Sequence, residues 1–139
     1  MTAVVVDTGV FSAGLSRRRN DLVAAYAEHL QGRVLVIAPQ TVAEMRFGAL
    51  AARWGAGRIA ELERRVALAR IAVIDDALIW THARLRVDCR AAGHALAQPT
   101  HAADLWVAAT AVHLGIPLVS HDQVFARTPG LDLVSADRR

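Results

Sequence analysis

Lysine is absent from this chain, and all sixteen of its basic residues are arginine. Arginine forks onto phosphate in a bidentate way, which points toward a nucleic-acid partner; a GC-rich genome leaves the same bias, together with the abundance of alanine seen here. Cysteine is nearly absent as well. Cys89 stands alone, so an internal disulfide is excluded, and no Cys/His spacing has the form of a zinc site, which suits a reducing compartment. No apolar run reaches the roughly 18 residues needed to cross a bilayer. Met1-Thr2 leads straight into a strand, with neither a basic region nor a small-residue cleavage site, so a soluble cytoplasmic protein without membrane contact is expected. Repeats, linkers and low-complexity segments are missing too. A hydrophobic content of 54% excludes disorder, and 139 residues suit one domain spanning residues 1–139.

The stretch that organises the rest is Val4-Val5-Val6-Asp7-Thr8-Gly9. Three β-branched residues without alternation read as a strand buried on both faces, as in the middle of a parallel sheet. Such a strand delivers Asp7 to the carboxyl edge, where ligands of open α/β sheets bind. After a turn or short helix over residues 9–16, Arg17-Arg18-Arg19-Asn20 is a polar break, a solvated loop that becomes a phosphate clamp if it borders the site. A helix runs from Asn20 or Asp21 to about Leu30, with Leu22, Tyr26 and Leu30 at helical spacing. Val34 to Ala38 is a second continuous strand stopped by Pro39. Thr41-Val42-Ala43-Glu44 has capping-box spacing and opens a helix to about Trp54. Residues 58–70 form a helix with an Ile59, Leu62, Val66, Ala69 stripe and a solvated face of Glu61, Arg64 and Arg65. Ile71 to Ile74 is a short strand, Asp75-Asp76 caps a helix to about Ala92, and Pro99-Thr100 starts another that runs to Leu114. Residues 117–120 and 131–134 are the last strands, with one helical turn around Phe125 between them. Strands separated by helices, without tight hairpins, make a single α/β domain with a mostly parallel sheet of four to five strands.

Four acids then fall at one sheet edge. Asp7 and Asp122 follow strands, Glu44 opens the helix after the second strand, and Asp104 opens the helix that feeds the fourth. Each has a local explanation as a turn former, a capping-box partner, a first-turn acid or a cap. Asp104 strains that explanation most. Its helix, Ala102 to Ala109, is apolar nearly all round, and positions i+3, i+4 and i−4 are Val107, Ala108 and Thr100, so no cation on the helix pairs with it. Four carboxylates about 5 Å apart repel by about 3 kcal/mol per pair at an effective dielectric near 20. A shared cation or a raised pKa relieves this, and oxygen ligands without Cys or His select Mg²⁺ or Mn²⁺.

The strand ending Asp7-Thr8, the helical Glu44, the run Asp104-Leu105-Trp106-Val107-Ala108-Ala109-Thr110-Ala111, then Leu114-Gly115-Ile116-Pro117-Leu118-Val119-Ser120-His121-Asp122 and Phe125, together resemble a PIN domain. More narrowly, the chain resembles the VapC toxins of bacterial toxin–antitoxin pairs over essentially its whole length. The resemblance implies a metal-dependent endoribonuclease with catalytic acids Asp7, Glu44, Asp104 and Asp122, with Thr8 and Ser120 as supporting hydroxyls and Mg²⁺ as cofactor. It implies a dimer silenced by a small antitoxin lying in a groove between helices. Phe47, Leu50 and Trp54 are candidates to line that groove, and their spacing equally suits core packing. Arg17, Arg18, Arg19, Arg46 and Arg127 are candidates to hold the RNA backbone. Val124 stands where many relatives carry a further acid, leaving one carboxylate on that loop.

Two other readings remain. Asp7-Thr8-Gly9 matches the aspartic-protease triplet, but that fold is built of β-strands and helical patterns dominate here. A PIN-like module that binds RNA or protein without cleaving is the alternative that Val124 keeps open.

Overall fold

The computed structural model describes residues 2–15 and 20–136. Its centre is β1, Ala3–Val6, in a five-stranded sheet ordered β3-β2-β1-β4-β5, with β2 Val34–Ile37, β3 Arg70–Ile71, β4 Leu118–Val119 and β5 Leu133–Val134. Every pairing is parallel, with Val4 opposite Leu35 and Val6 opposite Val119. Val4, Val5 and Val6 are buried because each face of the sheet is covered. The strand period of two sends Val5, Val36 and Leu118 into one core, and Val4, Val6, Ile37 and Val119 into the other. The first core is closed by α5, Asp76–Ala91, and α6, Ala102–Leu114. The second is closed by α1, Thr8–Ala13, α2, Asn20–Leu30, α3, Pro39–Ala51, and α4, Ala56–Ala67. The all-round apolar character of α6 is realised, with Leu105 and Val107 to Ala111 buried in succession.

Several boundaries differ from the sequence expectation. The capping box at Thr41 does not form. The helix α3 begins at Pro39, with Ala38 at the cap and no side-chain bond to it. Proline's fixed φ and missing N–H suit the first helical position, so the residue that stops β2 also starts α3. Thr41 thereby becomes a buried residue of the first turn, and Glu44 is not engaged as a capping partner. The third strand covers only Arg70–Ile71, and Val73 and Ile74 beyond it are exposed, because an edge strand has one neighbour to pair with. The helix α4 ends at Ala67, and Arg65 does not belong to a solvated face. Its guanidinium donates to the Phe11 carbonyl at 2.7 Å and lies 4.7 Å from the centroid of the Phe11 ring, tying α4 to the end of α1. The expected caps at Asp75 and Asp122 are both made, through bonds from the N–H groups of Leu78 and Val124. Among the described residues no helix is long and apolar enough to cross a membrane.

The helix α3 closes with the Trp54 N–H bonded to the Ala49 carbonyl at 3.0 Å, which requires a left-handed residue between them. That residue is Arg53, with φ 55 and an exposed side chain. At the equivalent place α5 and α6 use Gly93 and Gly115. Replacing Arg53 by glycine removes a Cβ clash at the cost of a looser unfolded chain, so Arg53→Gly is expected to stabilise by about 0.5 kcal/mol, raising the melting temperature by about 1–2 °C. Thermal melts followed by circular dichroism test this, and a fall in melting temperature would contradict it.

Candidate active site

The end of β1 places Asp7 under the start of α1. Its Oδ1 accepts the Thr8 N–H at 2.8 Å, and its own N–H donates to the Val119 carbonyl on β4 at 3.1 Å. Its Oδ2 accepts the Ser120 hydroxyl at 2.9 Å, and Ser120 Oγ accepts the Asp122 N–H at 3.1 Å. Ser120 thus joins the loop after β4 to the end of β1. Asp104 sits in the first turn of α6 and Glu44 midway along α3. The four acids come from four separate segments and line one open pocket of 440 Å³ together with Thr8, Gly9, Ser12, Leu22 and His121.

Asp7 is the buried member, with 7% of its surface exposed. Burial pushes its carboxyl up to about 6 despite the acidifying bonds from Ser120 and Thr8, and the charges of Asp104 and Asp122 push the same way. The Glu44 carboxyl is also raised by burial and by Asp104, against a bond from the Thr8 hydroxyl that lowers it. That hydroxyl lies 3.1 Å from Thr41 Oγ1, so it bridges α3 and the first residue of α1. The repulsion expected from the sequence is therefore present, and a bound cation would relieve it. All the carboxylate donors are hard oxygens, which fits Mg²⁺ or Mn²⁺. Among the described residues no three His, Cys, Asp or Glu groups converge as a ready cage, so the acids share a pocket without being drawn to chelating distance.

Asp104 has a partner on its own chain segment that the count of i+3, i+4 and i−4 neighbours passed over. His101, three residues before it, places Nδ1 3.1 Å from Asp104 Oδ2. Tyr26 was also missed, read only as part of an apolar stripe. It is fully buried, and a buried tyrosine hydroxyl must find partners, which was the available signal. Of the candidate RNA-binding residues, Arg17, Arg18 and Arg19 lie outside the described residues. Arg46 is committed to a two-pronged pair with Glu63, Nε and Nη2 each 3.0 Å from a carboxylate oxygen. Arg127 is exposed on the loop after the turn Gln123–Phe125, with φ 59.

The core-packing reading of Phe47 and Leu50 fails, since they are 73% and 70% exposed on α3. Trp54 lines a second cleft of 360 Å³, which shares Thr8, Ser12 and Glu44 with the acidic pocket. The Arg58 guanidinium covers its ring at 3.8 Å.

The PIN domain family model matches residues 4–131. The chain is 35% identical over 132 residues to Ribonuclease VapC5 of Mycobacterium tuberculosis, across 92% of this chain and 89% of that protein. It superposes on VapBC-5 from Mycobacterium tuberculosis, a member of the VapBC family of toxin-antitoxin systems, with a TM-score of 0.68 at 26% identity, covering 97% of this chain and 99% of that one. FitAcB from Neisseria gonorrhoeae gives 0.78 at 24% identity, covering 98% and 99% of the two chains. VapBC2 from Rickettsia felis bound to a DNA fragment from their promoter gives 0.80 at 16%, covering 96% and 98%. At the last two identities the likeness is one of fold.

The raised Asp7 carboxyl has a consequence for stability. Its folded value of about 6 lies above the ordinary 3.8, so the folded state holds that proton more tightly than the unfolded chain. The associated stabilisation is complete below about pH 4 and is lost as pH rises through 6, leaving the metal-free protein about 3 kcal/mol less stable at pH 7.5. Asp7→Asn carries no such charge. In EDTA it is expected to melt several degrees above wild type at pH 7.5, with the gain shrinking toward pH 4; a gain independent of pH would contradict the assignment.

Proposed function

This chain belongs to the PIN-domain family, among its VapC-type members, and on that footing we propose that it is a metal-dependent endoribonuclease acting as the toxin of a toxin–antitoxin pair. The observation that carries the reading is the convergence of Asp7, Glu44, Asp104 and Asp122 on one pocket from four separate segments, with Asp7 buried and its carboxyl raised. These four acids would hold Mg²⁺, with Mn²⁺ as substitute. The ion, when bound, makes a water acidic enough to act as hydroxide and neutralises charge on the scissile phosphate.

The residues of the chain supply the rest. Thr8 and Ser120 fix both oxygens of Asp7, so this carboxylate has little freedom to turn away from the pocket. Asp122 is held through its own N–H by Ser120, and its Oδ1 caps the following turn, leaving Oδ2 for the pocket. His101 restrains Asp104 in the same way. Asp122 and Glu44 orient the attacking water, and Glu44, whose carboxyl is raised, takes up its proton. In-line attack at phosphorus then breaks the P–O3′ bond, leaving a 5′-phosphate on one product and a 3′-hydroxyl, protonated from solvent, on the other. Arg17 to Arg19 and Arg127 hold the RNA backbone; Arg46 joins them only by giving up Glu63. The exposed Phe47 and Leu50, with Trp54 in the adjoining cleft, form the surface for a small antitoxin, which agrees with relatives solved as toxin–antitoxin complexes. The working form is a cytoplasmic homodimer.

Incubating the purified protein with total RNA in Mg²⁺, in EDTA, and as Asp7→Asn or Asp104→Asn in Mg²⁺ tests the reading. Discrete cuts are expected only in the first case, with each substitution lowering the rate at least about a hundredfold. A folded, antitoxin-free protein that makes no metal-dependent cuts would point instead to a module that binds RNA or protein without cleaving.

A further inference from the structure

Tyr26 is the only tyrosine in the chain, and its hydroxyl stands where three segments distant in sequence meet. The oxygen is 3.2 Å from the Ser120 carbonyl and 2.9 Å from Nδ1 of His121, and the Ala136 N–H donates to it at 3.0 Å. One proton and two lone pairs satisfy this set when the hydroxyl donates to the Ser120 carbonyl and accepts from Ala136 N–H and from His121 Nδ1–H. The two rings also meet edge to face, their centroids 5.7 Å apart at 88°.

These contacts fix the backbone around one side chain. Ser120 donates to Asp7 Oδ2 and accepts the N–H of Asp122, so a shift of residues 120–121 moves the donor to one acid and the anchor of another together. Tyr26 itself does not line the acidic pocket. A tyrosine that only filled the core would need no hydroxyl, yet every bonding position of this one faces Ser120, His121 or the segment after β5.

We propose that Tyr26 is a positioning residue whose hydroxyl sets the loop of residues 120–122, and through Ser120 the placement of Asp122 against Asp7, without touching substrate. The proposal rests on the acidic pocket being the reaction centre, and extends that centre to α2 and to Ala136. Groups of this kind, set behind the residues that bond to the ligands, hold geometry that the ligands alone do not fix.

The test is Tyr26→Phe in the full chain, read by amide hydrogen exchange and by RNA cleavage in Mg²⁺. The Asp122 amide is expected to exchange at least about tenfold faster while the amides of Val107 to Ala111 in α6 keep their protection, and kcat is expected to fall about tenfold with KM within about twofold. Wild-type exchange at Asp122 in the folded variant overturns the proposal, and so does an unchanged kcat. If the wild-type protein cleaves no RNA, the exchange measurement still decides the role of Tyr26, so the two readings fail separately. Should Tyr26→Phe not fold, biosynthetic 3-fluorotyrosine labels this position alone, because there is no other tyrosine. Asp122→Asn is then expected to shift the ¹⁹F resonance and the exposed Asp88→Asn to leave it in place; an Asp122→Asn protein with an unshifted resonance overturns the proposal.

Discussion

A carboxylate held out of water at the end of a strand buried on both faces is the constraint on which this molecule depends. Val4, Val5 and Val6 can be buried together only in the central strand of a sheet covered on both sides, and the chain has helices enough to cover it. The next residue inherits that position. Asp7 is thus fixed by the core, and its burial cannot be relieved by moving away. Its two oxygens take one hydrogen bond each, from Thr8 and Ser120, which lowers the cost of ionisation without removing it.

The surrounding polar network follows from that cost. Ser120 serves Asp7 and Asp122 at once, Thr8 serves Asp7 through its N–H and Glu44 through its hydroxyl, and Tyr26 braces Ser120 from behind. The bonds from Ser120 to Asp7, from Thr8 to Glu44 and from Tyr26 to Ser120 cross between elements far apart in sequence, so they tie the sheet edge together at the point where the acids meet. The charges of Asp104 and Asp122 add to the cost of ionising Asp7, and a divalent cation held there would offset it.

The sequence made the buried strand, the parallel sheet, the buried α6 and the caps at Asp75 and Asp122 legible, because each depends on neighbours a few residues away. The four acids were legible as one group because strand order and helix starts fix an edge before any contact is known. What escaped was decided elsewhere. Pro39 displaced the helix start from Thr41, since a proline at the first helical position competes well with a capping box that begins two residues later. The commitment of Arg46 to Glu63 and of Arg65 to Phe11 depends on how α3, α4 and α1 pack, which no local pattern encodes. The pairing of His101 with Asp104 was within reach of helical spacing at i−3, while the role of Tyr26 required knowing that residues 26, 120 and 136 meet.

The central proposal is that a proton and a divalent cation compete for the buried Asp7 carboxylate. Calorimetric titration with Mn²⁺ in buffers of differing ionisation enthalpy measures the protons released on binding. With the Asp7 carboxyl near 6, this group should release about half a proton on binding at pH 6, falling toward zero at pH 8, and Asp7→Asn should remove that share and weaken the binding. Equally tight binding to Asp7→Asn, or binding to wild type at pH 6 without proton release, would contradict the account.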